Sequence, residues 1–223
     1  MSEKKVTSLV WFRNNLRVID NLSLKKSIEN SDKVIGYVNI DPNINSTTIY
    51  GFKKTEKYRI KFLLESISDL KKQLKKINVS LVVKNEDLKS SINSVIKKYE
   101  IDNIYIQKEW TRDELIEEEC IPSDINLIKD FDQFLFSPSD VSEIYENIPR
   151  GFSNFRKKCE KYLSIDDIIP TPKPLNKNNL IKEEYSVPSI SDLGYEEFEV
   201  HNDSTFKFLG GETPGVNRVH EYF

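Results

Sequence analysis

The sequence predicts a doubly wound α/β domain: five parallel strands in the order 3-2-1-4-5, helices on both faces, and an irregular carboxyl-terminal extension. Two observations predict it. Short, almost continuously apolar runs rich in β-branched residues alternate with longer amphipathic stretches, as strands covered on both faces alternate with crossover helices. The alternation holds through about the first two-thirds of the 223 residues and then gives way to a stretch broken by prolines.

The strands are 8–12 (SLVWF), 33–40 (KVIGYVNI), 79–84 (VSLVVK), 103–108 (NIYIQK) and 125–131 (INLIKDF). Between the second and third, residues 54–77 place Ile60, Leu63, Leu64, Ile67, Leu70 and Leu74 at helical spacing. The other side of that helix is crowded with lysine, including Lys71, Lys72, Lys75 and Lys76, which reads as a solvated face, a basic docking surface being the alternative. A second helix covers 87–99 on Leu88, Ile92, Val95 and Ile96. A third opens at Thr111, where Thr-Arg-Asp-Glu has the form of a capping box with Glu114 reaching back to the cap. Glu109 and Trp110 therefore lie on the turn at the carboxyl end of strand four. Beyond residue 137 one helix is expected at 152–162, then Pro170, Pro172, Pro174 and Pro188 interrupt a polar segment that ends in an acidic tail over 182–203.

Composition narrows the function classes. A net charge of −3 gives no support to binding nucleic acid mainly by phosphate neutralisation, so no direct DNA contact is expected. No apolar run has the length of a membrane span, and the opening MSEKKVTSLVWF is charged where a secretory signal is apolar, so a cytoplasmic location is expected. Cys120 and Cys159 stand far apart without a CxxC or a histidine nearby, which suggests neither a disulfide framework nor a zinc site. His201 and His220 both fall outside the α/β region, and no Walker loop or HExxH is present.

In an open parallel sheet the ligand crevice lies beyond the carboxyl ends of the strands where the order reverses, here between strands one and four. Trp11, Phe12, Arg13 and Asn14 would form one wall, Lys108, Glu109 and Trp110 the other, with Asp41 and Pro42 nearby. The turn after strand one is Arg-Asn-Asn-Leu-Arg, without the glycines that let a pyrophosphate approach, so classical dinucleotide binding is not expected. The residue types suit a flat heterocycle: aromatic faces for stacking and one carboxylate, Glu109, able to accept two parallel N–H bonds. Spacing alone leaves Glu109 open to a second reading as a solvent-exposed loop carboxylate, with Trp110 a packing residue. Arg13 likewise reads equally as a ligand contact or as a salt bridge shaping the first turn.

The segment V-W-F-R-N-N-L-R-V-I-D-N, at 10–21, resembles the opening signature of photolyases and cryptochromes, commonly V-W-F-R-x-D-L-R-x-x-D-N. Three more blocks are similar to the DASH group in the same order: G-F-K-K-T-E-K-Y-R-I-K-F-L-L-E-S-I-S-D-L-K-K-Q-L at 51–74, G-F-S-N-F-R-K-K-C-E at 151–160, and F-K-F-L-G-G-E-T at 206–213. The resemblance implies a Rossmann-like antenna domain at 1–136, a linker at 137–205, and, at 206–223, the start of a helical FAD-binding domain that the chain does not contain. It implies a 5,10-methenyltetrahydrofolate antenna, held weakly without the second domain, with Glu109 as the carboxylate on the pterin. FAD is expected only in the complete family member, which repairs cyclobutane pyrimidine dimers with light, and this chain alone is expected to lack catalytic activity. A helical FAD-binding domain, in cis or in trans, is the implied partner. A stand-alone folate- or nucleotide-binding module, or a truncated relic without function, is the alternative. Two positions depart from the pattern: Asn15 stands where aspartate is usual, and Trp110 where a small aliphatic residue is common.

Overall fold

The structure is a computed structural model and describes residues 5–201, 203, 204 and 209–223. Part of the F-K-F-L-G-G-E-T block, Phe206 to Phe208, lies outside them. The five strands are β1 (Thr7–Trp11), β2 (Lys33–Asn39), β3 (Ser80–Lys84), β4 (Asn103–Gln107) and β5 (Asn126–Asp130), all parallel and ordered β3-β2-β1-β4-β5. They are joined by α1 (Leu22–Glu29), α2 (Lys57–Lys76), α3 (Leu88–Tyr99) and α4 (Arg112–Glu118). Each strand matches its expected position to within a residue or two, the margin by which strand ends fray.

Alternation along the strands divides the core. Val10 and Phe12 of the β1 segment, Val34 and Val38 of β2, and Tyr105 of β4 face α1 and α2, where Leu24, Ile60, Ile67, Leu70 and Leu74 are buried. Leu9 and Trp11, Ile35 and Tyr37, and Ile104 and Ile106 face the other way, against Ile92 and Val95 of α3. With two buried faces, the strands carry no polar side for water, which is why they read as continuous apolar runs.

The helix starts differ from one another. Asn21 and Asp87 accept from the backbone N–H of Leu24 and Ser90, closing the first turns of α1 and α3. Thr111 occupies the cap position of α4, but its hydroxyl accepts nothing, so the capping box does not form. Its expected partner Glu114 turns instead to the cleft described below, and the Glu114 carbonyl accepts from Arg13.

After β5 come α5 (Pro138–Ile144) and α6 (Phe152–Tyr162). Helix α5 is an addition to the expected elements, and it opens with Ser137 as cap and Pro138 in the first turn, a recognisable helix start. The proline-rich stretch then straps the amino end of the sheet. Leu175 N–H bonds the Ile77 carbonyl, Ile181 N–H bonds Ser80 Oγ, and the side chain of Asn179, 6 % exposed, is bound three times over. Its Oδ1 accepts from Val34 N at 2.8 Å, while Nδ2 donates to the carbonyls of Val34 at 2.9 Å and Asn78 at 2.7 Å.

The last element, α7 (Glu212–Tyr222), is docked at its start and free at its far end, where Tyr222 is 75 % exposed. Gly210 N–H bonds Glu65 and Thr213 N–H bonds Asp69, both on α2. A Cβ on Gly210 would stand 2.1 Å from the Phe62 carbonyl, so only glycine permits this approach. The Glu212 carboxylate accepts from the backbone N–H of Val18 at 3.0 Å and Ile19 at 2.8 Å, tying the segment to the turn that follows β1.

Candidate functional site

Beyond the carboxyl ends of β1 and β2 lies a cleft of about 660 Å³. Phe12, Asn14, Ile40 and Asp41 form its sheet side, Arg59 and Phe62 of α2 one wall, and Glu114 and Glu117 of α4 the other. Asp41 accepts from Lys54 Nζ and from Asn43 N–H at 2.8 and 2.9 Å. Burial works against its charge, but those two donors outweigh burial and hold its carboxyl below the usual range. The same bond to Asp41 raises Lys54. Across the cleft, desolvation pushes the Glu117 carboxyl up, Arg13 opposes the shift, and Glu114 and Asp41 reinforce it.

Arg13 turns back under the cleft floor, its guanidinium 5.0 Å from the centre of the Trp11 ring. Nη2 donates to the Gln107 carbonyl and to Glu118 Oε1, both at 2.9 Å, and Nη1 donates to the Glu114 carbonyl at 3.1 Å. Lys129 pairs with the other oxygen of Glu118 at 2.5 Å. The Arg13 and Glu118 side chains are only 6 % and 5 % exposed, so this is a buried ion pair joining the first turn to α4. Asn15, 2 % exposed, accepts from Arg13 N–H through Oδ1, and its Nδ2 meets no acceptor among the described residues.

Glu109 lies where β1 and β4 diverge and is 2 % exposed. Its Oε1 accepts from Asn14 Nδ2 and Gln107 Nε2, and its Oε2 from Gln133 Nε2, each at 3.2 Å. All three donors are neutral amides, and among the described residues no lysine or arginine forms an ion pair with this carboxylate. Gln107 is itself 3 % exposed, with an Oε1 that no donor reaches among the described residues.

Trp110, 42 % exposed, packs against Phe131 and Phe134 with ring centres 6.0 Å away in each case, and Phe131 and Phe134 are 5.7 Å apart. Lys108 Nζ sits 4.4 Å from the centre of the Trp110 ring. The six candidate residues thus fall into two groups. Arg13, Asn14 and Asp41 line the cleft, whereas Lys108 and Trp110 belong to an aromatic surface on the β4–β5 side. Glu109 stands between them, touched from the cleft side by Asn14 and from the other by Gln133.

The DNA photolyase family model matches residues 8–175. The chain belongs to that family. It is 31 % identical over 228 residues to the cryptochrome DASH of Gloeobacter violaceus, covering 100 % of this chain and 45 % of that protein. It is 29 % identical to the chloroplastic/mitochondrial cryptochrome DASH of Arabidopsis thaliana, covering 98 % of this chain and 40 % of that protein. The crystal structure of the Synechocystis sp. PCC6803 cryptochrome superposes with a TM-score of 0.86 at 29 % identity, over 100 % of this chain and 47 % of that one. A bacterial class III photolyase from Agrobacterium tumefaciens shares the fold at a TM-score of 0.77 and 20 % identity, over 100 % of this chain and 45 % of that one. The chain therefore spans less than half the length of these relatives.

The photolyase-family domain handles the phosphate-binding end of a doubly wound fold in an unusual way. At the start of α1, Asp132 takes the Leu22 N–H at 3.0 Å and Asn21 takes the Leu24 N–H at 3.0 Å. A carboxylate already fills the position a phosphate would take on the helix dipole, so a dinucleotide does not fit there in the classical mode. The Glu109 cluster fits a different group. Its surplus of acceptors, beside exposed aromatic faces, suits a heterocycle edge bearing N–H donors. Gln107, Glu118 and Gln133 escaped the sequence reading. The first was detectable as a polar residue ending an apolar strand, and the other two carry no local signal. Among the described residues no group of histidine, cysteine or carboxylates is arranged to hold a metal, and no helix is long and apolar enough to cross a membrane.

Proposed function

We propose that this chain is the antenna part of a DASH-type photolyase or cryptochrome, and that Glu109 receives the pterin edge of a folate such as 5,10-methenyltetrahydrofolate. The observation that carries the reading is a carboxylate 2 % exposed that meets only neutral amides. Burying an anion without a cation is costly, and the cost is recovered when a ligand offers two parallel donors to it. The aminopyrimidinone edge of a pterin has that donor pair. Bound there, the folate would supply near-ultraviolet absorption. The protein's own residues would orient its edge, stack on its face and keep water from the carboxylate. In the complete system the flavin and the damaged DNA belong to a helical FAD-binding domain, joined in cis or supplied in trans, and light-driven dimer repair belongs to that assembly. A stand-alone binding module is the second reading, favoured by a cleft built wholly from this chain.

The test is the absorption spectrum of the purified chain titrated with 5,10-methenyltetrahydrofolate. The expected result is a bound near-ultraviolet band that Glu109→Gln weakens about 10- to 100-fold in affinity, the effect of losing a hydrogen-bonded charge. A spectrum equal to the sum of free protein and free folate at millimolar ligand would reject the folate reading.

A further inference from the structure

We infer that Gln133 is a built-in cap on Glu109, its amide filling in the free protein the place that a ligand's N–H takes on binding. This rests on the folate reading above and deepens it by naming the residue that controls access.

Three features of the cluster support the cap. First, the cage is loose. All three amide donors stand 3.2 Å from the carboxylate. Bonds to an ionised oxygen ordinarily close to about 2.7–2.9 Å, so a ligand N–H at that distance outcompetes what is there. Second, the cluster has acceptors to spare, because Gln107 Oε1 is buried without a donor among the described residues while its Nε2 is committed to Glu109. Third, among the described residues Gln133 is the one donor on Oε2, so its departure opens that oxygen. Oε1 is shared by Gln107, buried in the sheet, and by Asn14, itself exposed but flanked by ion-paired Arg13 and buried Asn15. Gln133 is exposed, in a run of exposed residues that continues through Phe134 and Leu135. Once displaced, its amide returns to water at little cost.

Position supplies the direction of entry. Gln133 lies between Phe131 and Phe134, which with Trp110 form an aromatic surface beside the carboxylate. A flat ring that reaches Glu109 Oε2 from that surface would take the acceptor that Gln133 now holds. The cleft on the Asn14 side, lined by Phe12 and Phe62 and by both acidic and basic side chains, does not include Gln133 among its lining residues.

The test compares folate affinities of the purified chain by quenching of tryptophan emission and by the ligand's absorption, with Trp110→Phe identifying which tryptophan reports. Gln133→Ala is expected to bind 5,10-methenyltetrahydrofolate about 3- to 10-fold more tightly than wild type, the worth of removing one competing neutral hydrogen bond. Gln133→Glu, which sets a second carboxylate against Glu109, is expected to bind at least about tenfold more weakly. Because Gln133 is exposed, neither change threatens the fold. Unchanged or weaker binding by Gln133→Ala, with Glu109→Gln still impaired, would overturn the cap and leave the folate reading standing. Absence of binding in every variant would overturn both.

Discussion

Replacing Glu118 by alanine is expected to destabilise the protein by about 3–5 kcal/mol, the usual cost of removing one partner from a buried ion pair. Arg13 is 6 % exposed on its side chain and would be left charged against backbone carbonyls alone. Its guanidinium cannot shed the proton to escape the penalty. Lys129, 42 % exposed, loses less because water replaces its partner. In urea the unfolding midpoint should fall by more than about 1 M, taking a slope of about 1–3 kcal/mol per molar for a domain of this size. The double replacement Arg13→Met with Glu118→Leu should recover most of that loss, since burying two apolar groups of similar volume removes both desolvation costs. A single-variant loss below about 1 kcal/mol, the range of an exposed pair, would mean that the Arg13–Glu118 contact is solvated in solution.

Asn179→Ala is expected to cost about 3 kcal/mol, taking each of three buried hydrogen bonds at roughly 1 kcal/mol net. The loss leaves the Val34 N–H, the Val34 carbonyl and the Asn78 carbonyl without their present side-chain partner. The Asn179 side chain mimics a peptide group, because its carboxamide offers an acceptor oxygen and two N–H donors in one plane. The strap should then loosen, so protease cleavage between about 175 and 190 should accelerate together with the fall in melting temperature. Asn178→Ala, one residue earlier and exposed, serves as the control and should change neither. A melting temperature for Asn179→Ala equal to that of the control would show that the strap contributes nothing to folding.

The five strands and the helices on them were legible because burial on both faces leaves an apolar signature that survives in a single sequence. The strand order is the one the doubly wound reading expects, whereas the cleft opens beyond β1 and β2 rather than between β1 and β4. What could not be read were contacts made across long separations. Nothing near Asn179 announces that its amide will serve β2, 145 residues earlier. Glu118 sits in an acidic helix whose neighbours face water, and only the folded chain shows it turned inward to Arg13. The site shows the same limit. Sequence placed Glu109 on the right turn but left its exposure open, and the structure buries it. It also placed Trp110 and Arg13 in one crevice, whereas Arg13 borders the cleft and Trp110 packs with Phe131 and Phe134 on the side of β5. The capping box at Thr111 does not form, and the Glu114 side chain lines the cleft instead, a tertiary placement that a four-residue pattern does not register.

The two bonds from Glu212 give the first turn an unusual hydrogen-exchange behaviour. Ordinarily amides in an exposed turn trade their protons with water quickly, since nothing must open to free them. Val18 and Ile19 have their N–H groups sequestered by a carboxylate about two hundred positions away in the chain, so their exchange is governed by undocking of the carboxyl-terminal helix. Slow exchange at these two positions would therefore be a local clock for a remote event. Anything that pulls α7 from α2, including a partner that captures the exposed end near Tyr222, should be visible as faster deuterium uptake at Val18 and Ile19, before any change at the helix itself needs to be resolved.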